Sequence, residues 1–447
     1  MFYHLWTEGC QMNAADSRRV AGALEALGYR PAARPDDADV IVLNTCVVRQ
    51  SAEDKAFGRL SSLRPLKLRR PDLVINVMGC LVGRRPPDGL RRRFPYVDVF
   101  SPPSDPRPLI RFLLDARPVR APAETVAALE ELARDDSPPG LARLPFSAAG
   151  GEGRAPAAVF VPVVLGCSHA CTYCVIPYRR GGERSRPQAE ILAEIRSWTA
   201  RGAKEVTLLG QIVDRYGKDT GGAGLPDLLR AAQEIEGLER IRFLTSHPNW
   251  MTAELIETAA ALLKVCGHIE VPVQAGDDEV LARMKRGYTA EDYRRLIGRI
   301  RSVLPDASIA TDVIVGFPGE TDAQFRRTHD LLAELRLDVA HLARYSPRPE
   351  TFSARTYPDD VPAEEKMRRF RMLEELQEKI ASEKNAALSG KTVEVLVEGK
   401  HNGRWFGRTR ANRLVFFDDP DNDWQARTAN VEITRTAAWS LQGRMTE

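Results

Sequence analysis

The chain has no run of about 18 apolar residues, so no membrane span is expected. Its first ten residues, Met1–Cys10, lack a basic segment followed by an apolar core, which argues against an export signal. Both absences predict a cytoplasmic protein without a membrane partner. Cysteine is scarce, with 7 in 447 residues. In a chain that is not exported, so few thiols argue against a disulfide framework and for metal or redox chemistry. Charge of one sign is also missing, since the net charge is only +3. Bulk charge therefore does not point to nucleic acid, and local clusters must carry any such reading. What remains is ordinary: 43% hydrophobic and 28% charged residues describe a soluble globular chain. Its length predicts roughly three domains.

Strand and helix patterns alternate from the start. Phe2–Thr7 reads as a strand, Asp16–Leu27 as a helix, and Val40–Leu43 as a buried strand. Ser51–Leu63 is helix-like, and Leu73–Met78 is a third strand. This βαβαβ order implies a parallel sheet with right-handed crossovers. Cys10, Cys46 and Cys80 each follow one of these strands. In an open parallel sheet the C-terminal strand ends share one edge, where ligands bind. The three thiols, distant in sequence, are expected to meet there. The plain alternative is three unrelated core cysteines.

Prolines and glycines recur from about Pro118 to Pro156, interrupted by a helix-like insert at Glu124–Arg134. The stretch reads as a linker. Alternation then resumes. Strands are expected at Val159–Leu165, Glu205–Leu209, Ile241–Thr245, His268–Val273, Ser308–Val315 and Val339–Tyr345, with helical patterns between them. Six βα units predict a partial or full parallel barrel, with its chemistry on the C-terminal face. Pro362–Leu388 reads as a long charged helix. After Gly390, short β segments at Thr392–Val397, Trp405–Arg410, Arg413–Phe417 and Val431–Thr436 predict a small barrel. The fold class is α/β, ending in a small all-β barrel.

The densest signal is Cys167, Cys171 and Cys174, three thiols spaced C-x3-C-x2-C directly after an apolar strand. A cubane iron–sulfur cluster usually takes four cysteines. Three on one tight loop hold three irons and leave the fourth open to a small chelating cofactor. Zinc with His169 or a distant Cys as fourth ligand is the alternative. Structural zinc sites more often combine two separated ligand pairs, and no second pair is present.

This spacing resembles that of radical S-adenosylmethionine enzymes. There an electron from the cluster breaks the sulfonium carbon–sulfur bond and releases a carbon radical. Further stretches resemble methylthiotransferases, nearest to the branch that acts on isopentenyl-adenosine in tRNA. They are Trp6–Ser17, Asn44–Ala56, Val77–Cys80, Gly166–Arg186, Thr207–Gly217, Thr245–Pro248, Met284–Thr289, Thr311–Thr321, Tyr345–Pro349 and Phe406–Phe417. The resemblance implies an N-terminal methylthiotransferase domain at 1–118, a linker at 119–155, a radical core at 156–386 and an RNA-binding TRAM barrel at 387–447. It implies S-adenosylmethionine and two [4Fe-4S] clusters, one on Cys167, Cys171 and Cys174, the other on Cys10, Cys46 and Cys80. Cys266 is left as a core thiol. Ile212, Asp214, Ala275 and Glu350 depart from the family pattern without touching a cluster ligand.

Tyr173, Gln211, Ser246, Gln274 and Gly316 are the candidates for contact with S-adenosylmethionine. Gln211, Ser246 and Gln274 end predicted strands at the barrel mouth, and Gly316 follows another strand. Each of the three polar residues could equally cap a loop. No protein side chain is assigned a catalytic role, because the clusters carry the chemistry. Lys400, Arg404, Trp405, Arg408, Arg410 and Arg413 lie in one acid-free stretch, where cations would meet phosphates and the indole would stack on a base. Arg179, Arg180, Arg184 and Arg186 would extend this basic path towards the active site. The expected partners are the anticodon loop of tRNA, a reductant protein, and iron–sulfur assembly or sulfur-donor proteins. Sister enzymes acting on threonylcarbamoyladenosine or on a ribosomal-protein aspartate remain as near alternatives. A non-catalytic RNA-binding protein with structural zinc remains as a distant one.

Overall fold

The structure, a computed structural model, describes residues 1–48, 50–86, 88–116, 121–134 and 155–446. Among these no helix is long and apolar enough to cross a membrane. The chain divides into two compact units. The first contains residues 1–155, 165–169 and 174–186; the second contains 156–164, 170–173 and 187–447.

The first unit is built on a five-stranded sheet ordered Arg30–Pro31, Phe2–Thr7, Val40–Thr45, Val74–Gly79, Val99–Ser101. Every pairing in it is parallel. Val40–Thr45 and Val74–Gly79 are buried along their whole length. That is the pattern of strands covered on both faces. The βαβαβ expectation holds, and two short edge strands join it, each too short to leave a readable pattern. Helix Gln11–Ala26 begins five residues before the expected start at Asp16, directly after its N-cap Cys10. The periodicity of Val20, Leu24 and Leu27 marks only the half of this helix that faces the apolar core.

Most of the stretch read as a linker lies outside the described residues. Its helical insert, Ala123–Arg134, packs Leu129 and Ala133 into the same core as Leu109, Ile110 and Leu113. The apolar face of this helix therefore ties it to the N-terminal sheet.

The second unit carries two three-stranded parallel sheets. One is ordered Arg240–Leu244, Glu205–Leu209, Ala158–Pro162; the other is His268–Glu270, Ser308–Val315, Val339–Arg344. A parallel bridge between Ile241 and Val265 continues the order from one sheet towards the other. No pairing among the described residues joins Ala158–Pro162 to Val339–Arg344, so the (β/α)6 barrel is partial. Helix Ala363–Ala386 leads into a closed barrel ordered Thr392–His401, Arg404–Thr409, Leu414–Asp418, Leu441–Met445, Thr428–Thr436. Val395, Val397, Trp405, Val415, Phe417, Val431, Ile433 and Leu441 fill its core. The strand Leu441–Met445 has no strong alternation and was not expected from sequence.

Candidate iron–sulfur and cofactor sites

The N-terminal sheet delivers three thiols to one edge. Thr7 pairs with Asn44, and Thr45 pairs with Gly79, so these strands end level with one another. Cys10, Cys46 and Cys80 follow those ends. Gly9 lies so close to Cys46 that a Cβ on it would stand 3.0 Å from the Cys46 Cβ. Gly79 holds φ +97, and a Cβ there would strike the Thr45 carbonyl, so only glycine delivers Cys80 at this turn. The Cys80 N–H then donates to Thr45 O at 2.9 Å. Below the thiols, Asn13 Nδ2 donates to Asn44 Oδ1 (2.8 Å) and Thr45 O (3.0 Å), tying the first helix to the strand ends. Burial, then the neighbouring Cys80, pushes the Cys46 thiol up to about 12. Burial likewise raises Cys80, with Cys10 adding to the effect. The three cysteines thus follow level strand ends at one sheet edge and feel one another electrostatically.

Arg180 lies in the same unit, and its burial is a correction to the sequence reading. It does not line a basic path. Its side chain is 3% exposed beside a fully buried Asp16, at 3.3 Å. Nε donates to Cys80 Sγ at 3.3 Å, and Nη1 donates to Ser104 Oγ at 3.2 Å. Ser104 Oγ donates to Asp16 Oδ1 at 2.6 Å. Arg186 is also buried, while Arg179 and Arg184 are half-buried.

Backbone and hydroxyl bonds hold the C-x3-C-x2-C loop at its start and at Thr172. In the first unit the Cys167 N–H donates to Gly181 O at 3.0 Å, and Ser168 Oγ accepts from the Glu183 N–H at 3.0 Å. In the second unit Thr172 N–H donates to Met284 O (3.1 Å) and Thr172 Oγ1 to Arg283 O (2.8 Å), while Ser353 N–H donates to Thr172 O (2.9 Å). Arg286 Nη1 donates to Cys171 Sγ at 3.1 Å. Burial works against the Arg286 charge, but Tyr173, Tyr288 and Cys171 around it more than offset this and hold it protonated. Sequence reading missed Arg286, although the stretch Met284–Thr289 was among the resemblances.

The strand ends of the partial barrel place the other candidates. Tyr173 packs on the cluster formed by Ala275, Met284, Tyr288 and Phe317. Gln211 is half-buried after Glu205–Leu209. Ser246 is 3% exposed, and its Oγ has no partner among the described residues. Thr245 and Gln274 hold left-handed backbone, φ 68 and φ 72. For such residues this costs on the order of 1–3 kcal/mol each, a strain typical of functional loops. The Gly316 N–H is engaged by Glu320 Oε2 at 2.6 Å, and the side chain of Lys366 occupies the space a Gly316 Cβ would need. Asp214 is buried; Oδ2 accepts from the His247 N–H at 3.0 Å, and Oδ1 has no partner among the described residues. Burial lifts its carboxyl to about 7. Burial, then Asp312, lifts Glu270 to about 8.

The basic stretch of the C-terminal barrel divides in two. Lys400 is exposed, with Nζ 4.1 Å from the Trp405 ring centroid. Arg404 makes a surface pair with Asp418 at 3.2 Å, and Arg408 lies 3.4 Å from Glu398. Arg410 and Arg413 instead face the partial barrel. Arg410 Nη2 donates to Val265 O at 3.0 Å, and Arg413 Nη2 meets Asp338 at 2.9 Å. From the other side, Arg240 Nη1 donates to Arg408 O, and Arg242 donates to Thr409 O and Arg410 O, each at 2.7 Å. Trp405 is 5% exposed in the barrel core, with Nε1 donating to Asp419 O at 3.0 Å. An indole so placed has no free face for a base.

Each donor set consists of thiols alone, the ligand chemistry that iron–sulfur clusters take from a protein. Among the described residues no three His, Cys, Asp or Glu side chains stand close enough to hold a single metal ion, whichever the metal. One guanidinium stands against a sulfur in each set, Arg180 on Cys80 and Arg286 on Cys171. Ser246 Oγ and Asp214 Oδ1 are buried polar atoms with no partner among the described residues.

Three family descriptions match in succession: Uncharacterized protein family UPF0004 at residues 3–101, Radical SAM superfamily at 161–332 and TRAM domain at 386–446. Among solved structures, the radical S-adenosylmethionine methyltransferase TsrM from Kitasatospora setae resembles this fold with a TM-score of 0.54. It is 17% identical and covers 79% of this chain and 77% of its own. Curated relatives called tRNA-2-methylthio-N(6)-dimethylallyladenosine synthase match end to end. The protein from Roseiflexus sp. (strain RS-1) is 48% identical over 99% of this chain and 89% of its own. That from Chloroflexus aurantiacus is 48% identical over 99% and 91%, and that from Dictyoglomus thermophilum 42% over 99% and 98%. A chain that keeps this identity over 99% of its length belongs to the tRNA-2-methylthio-N(6)-dimethylallyladenosine synthase family of radical S-adenosylmethionine enzymes.

Proposed function

We infer that this protein replaces the hydrogen on carbon 2 of an N6-isopentenyl-adenosine in tRNA with a methylthio group. The observation that carries the reading is 48% identity to such a synthase across 99% of the chain. Such a carbon has no acidic proton, so acid–base catalysis by side chains cannot activate it. When bound, the two [4Fe-4S] clusters and S-adenosylmethionine supply the one-electron chemistry, the sulfur and the methyl group.

The chain's own residues bind, orient and exclude water. Cys167, Cys171 and Cys174 would hold the cluster that activates S-adenosylmethionine, and Cys10, Cys46 and Cys80 the auxiliary one. Arg286 orients the Cys171 sulfur by a charge-assisted hydrogen bond. Ser246 Oγ and Asp214 Oδ1, two atoms with no partner among the described residues, are suited to the ribose hydroxyls or ammonium of the cofactor. Tyr173 packs on the apolar cluster of Ala275, Met284, Tyr288 and Phe317. Lys400, Arg404 and Arg408 are the remaining candidates for phosphate contacts. The base at position 37 of the anticodon loop is the proposed target, because a single-stranded loop presents its edges at little unpairing cost. A reductant protein and a sulfur or iron–sulfur donor in the cytoplasm complete the proposal.

The test is anaerobic incubation of reconstituted enzyme with isopentenylated tRNA, reductant and S-adenosylmethionine, followed by nucleoside mass spectrometry. The expected result is a methylthio adduct on isopentenyl-adenosine. An adduct found only on threonylcarbamoyladenosine, or only on ribosomal protein, would overturn the assignment.

A further inference from the structure

The short helix after the radical loop, Ile176–Arg180, ends in a cation that the loop's own cysteines do not use. Arg180 is 3% exposed. Its guanidinium touches Cys80 Sγ through Nε, Asp16 Oδ2 through both terminal nitrogens, and Ser104 Oγ through Nη1. Removing such a charge from water costs several kcal/mol unless partners compensate. One carboxylate, one hydroxyl and one sulfur surround it. Arginine stays charged at any pH the protein meets. The auxiliary triad is therefore built against a permanent positive charge, itself paired with the buried Asp16.

We propose that Arg180 and Asp16 form an electrostatic pair that sets the reduction potential of the auxiliary cluster, Arg180 raising it and Asp16 lowering it. Cluster potentials respond to net charge and to hydrogen bonds on the ligand sulfurs. One-electron reduction adds a negative charge. A cation hydrogen-bonded to a ligand sulfur stabilises that charge, and a nearby carboxylate opposes it. Arg180 is a positioning residue here, since it acts through Cys80. The proposal rests on assigning the auxiliary cluster to Cys10, Cys46 and Cys80.

The test uses the full chain with Cys167, Cys171 and Cys174 replaced by Ala, reconstituted with iron and sulfide. Only the auxiliary cluster then remains. Its potential is titrated with dithionite and redox mediators and followed by electron paramagnetic resonance. Arg180→Gln is expected to shift the midpoint to more negative values, and Asp16→Asn to more positive values. Arg180→Lys, which keeps the charge, is expected to stay nearer the parent. Opposite signs are something a merely structural role would not give. Unchanged midpoints, or shifts of the same sign, would overturn the proposal. If Arg180→Gln fails to hold iron, Asp16→Asn decides: a shift to more positive values supports the proposal, and a midpoint unchanged or more negative overturns it. Absence of iron and acid-labile sulfide from the parent itself would overturn the cluster assignment, and the proposal with it.

Discussion

Glu270 stands beside Asp312 in the partial barrel, and its carboxyl is raised from about 4.5 to about 8 by burial and then by that neighbour. A raised carboxyl is protonated in both folded and unfolded chains at low pH, so it adds no penalty there. As pH rises from about 4.5 through about 8, the unfolded chain ionises first and folding loses stability. Glu270→Gln is therefore expected to melt with the native protein near the lower value and above it at the higher one. Thermal unfolding across the pH series checks this, and a constant gap would show that Glu270 is not held neutral. Trp405 makes a second residue-scale case. Removing a core indole should lower stability by about 3–5 kcal/mol. Trp405→Ala should unfold at lower denaturant, whereas a stacking role would leave stability intact and weaken tRNA binding. The sequence made the cysteines legible, because thiols are rare and their spacing is chemical. It did not reveal that Trp405 is buried or that Arg180 is drawn inside. A cationic or aromatic side chain reads alike on a surface and in a core until its neighbours are known.

Among elements, the most informative is the turn between Arg404–Thr409 and Leu414–Asp418 of the small barrel. Its side chains, with the carbonyls of the strand end before it, meet Arg240, Arg242, Asp338 and the chain at Val265. Half of a stretch that resembled an RNA-binding motif is thus a docking surface onto the partial barrel. Arg413→Ala removes a charged hydrogen bond to the buried Asp338 and should lower stability by about 1.5–3 kcal/mol. It should leave the salt dependence of tRNA binding unchanged. Lys400→Ala and Arg404→Ala should do the reverse, each reducing the log–log salt slope by about one unit if it contacts a phosphate. Binding isotherms across a salt series separate the two groups. The βα elements themselves were readable because apolar runs and helical periods persist through them. The edge strands Arg30–Pro31 and Val99–Ser101 were not, since two or three residues carry no period. Leu441–Met445 pairs in parallel with Leu414–Asp418 and closes the barrel, a long-range choice that local pattern does not encode.

For the molecule as a whole, we propose that the two cysteine sets hold two clusters with separable tasks in one reaction. Loss of one thiol should disable one cluster and leave the other. The most direct measurement compares Cys46→Ala and Cys171→Ala in anaerobic assays that record 5′-deoxyadenosine and methylthiolated nucleoside together. Cys171→Ala should form neither. Cys46→Ala should still form 5′-deoxyadenosine but no methylthio product, because sulfur is no longer held for transfer. Methylthio product at the native level from Cys46→Ala, or 5′-deoxyadenosine at the native rate from Cys171→Ala, would contradict the division of labour on which the account stands.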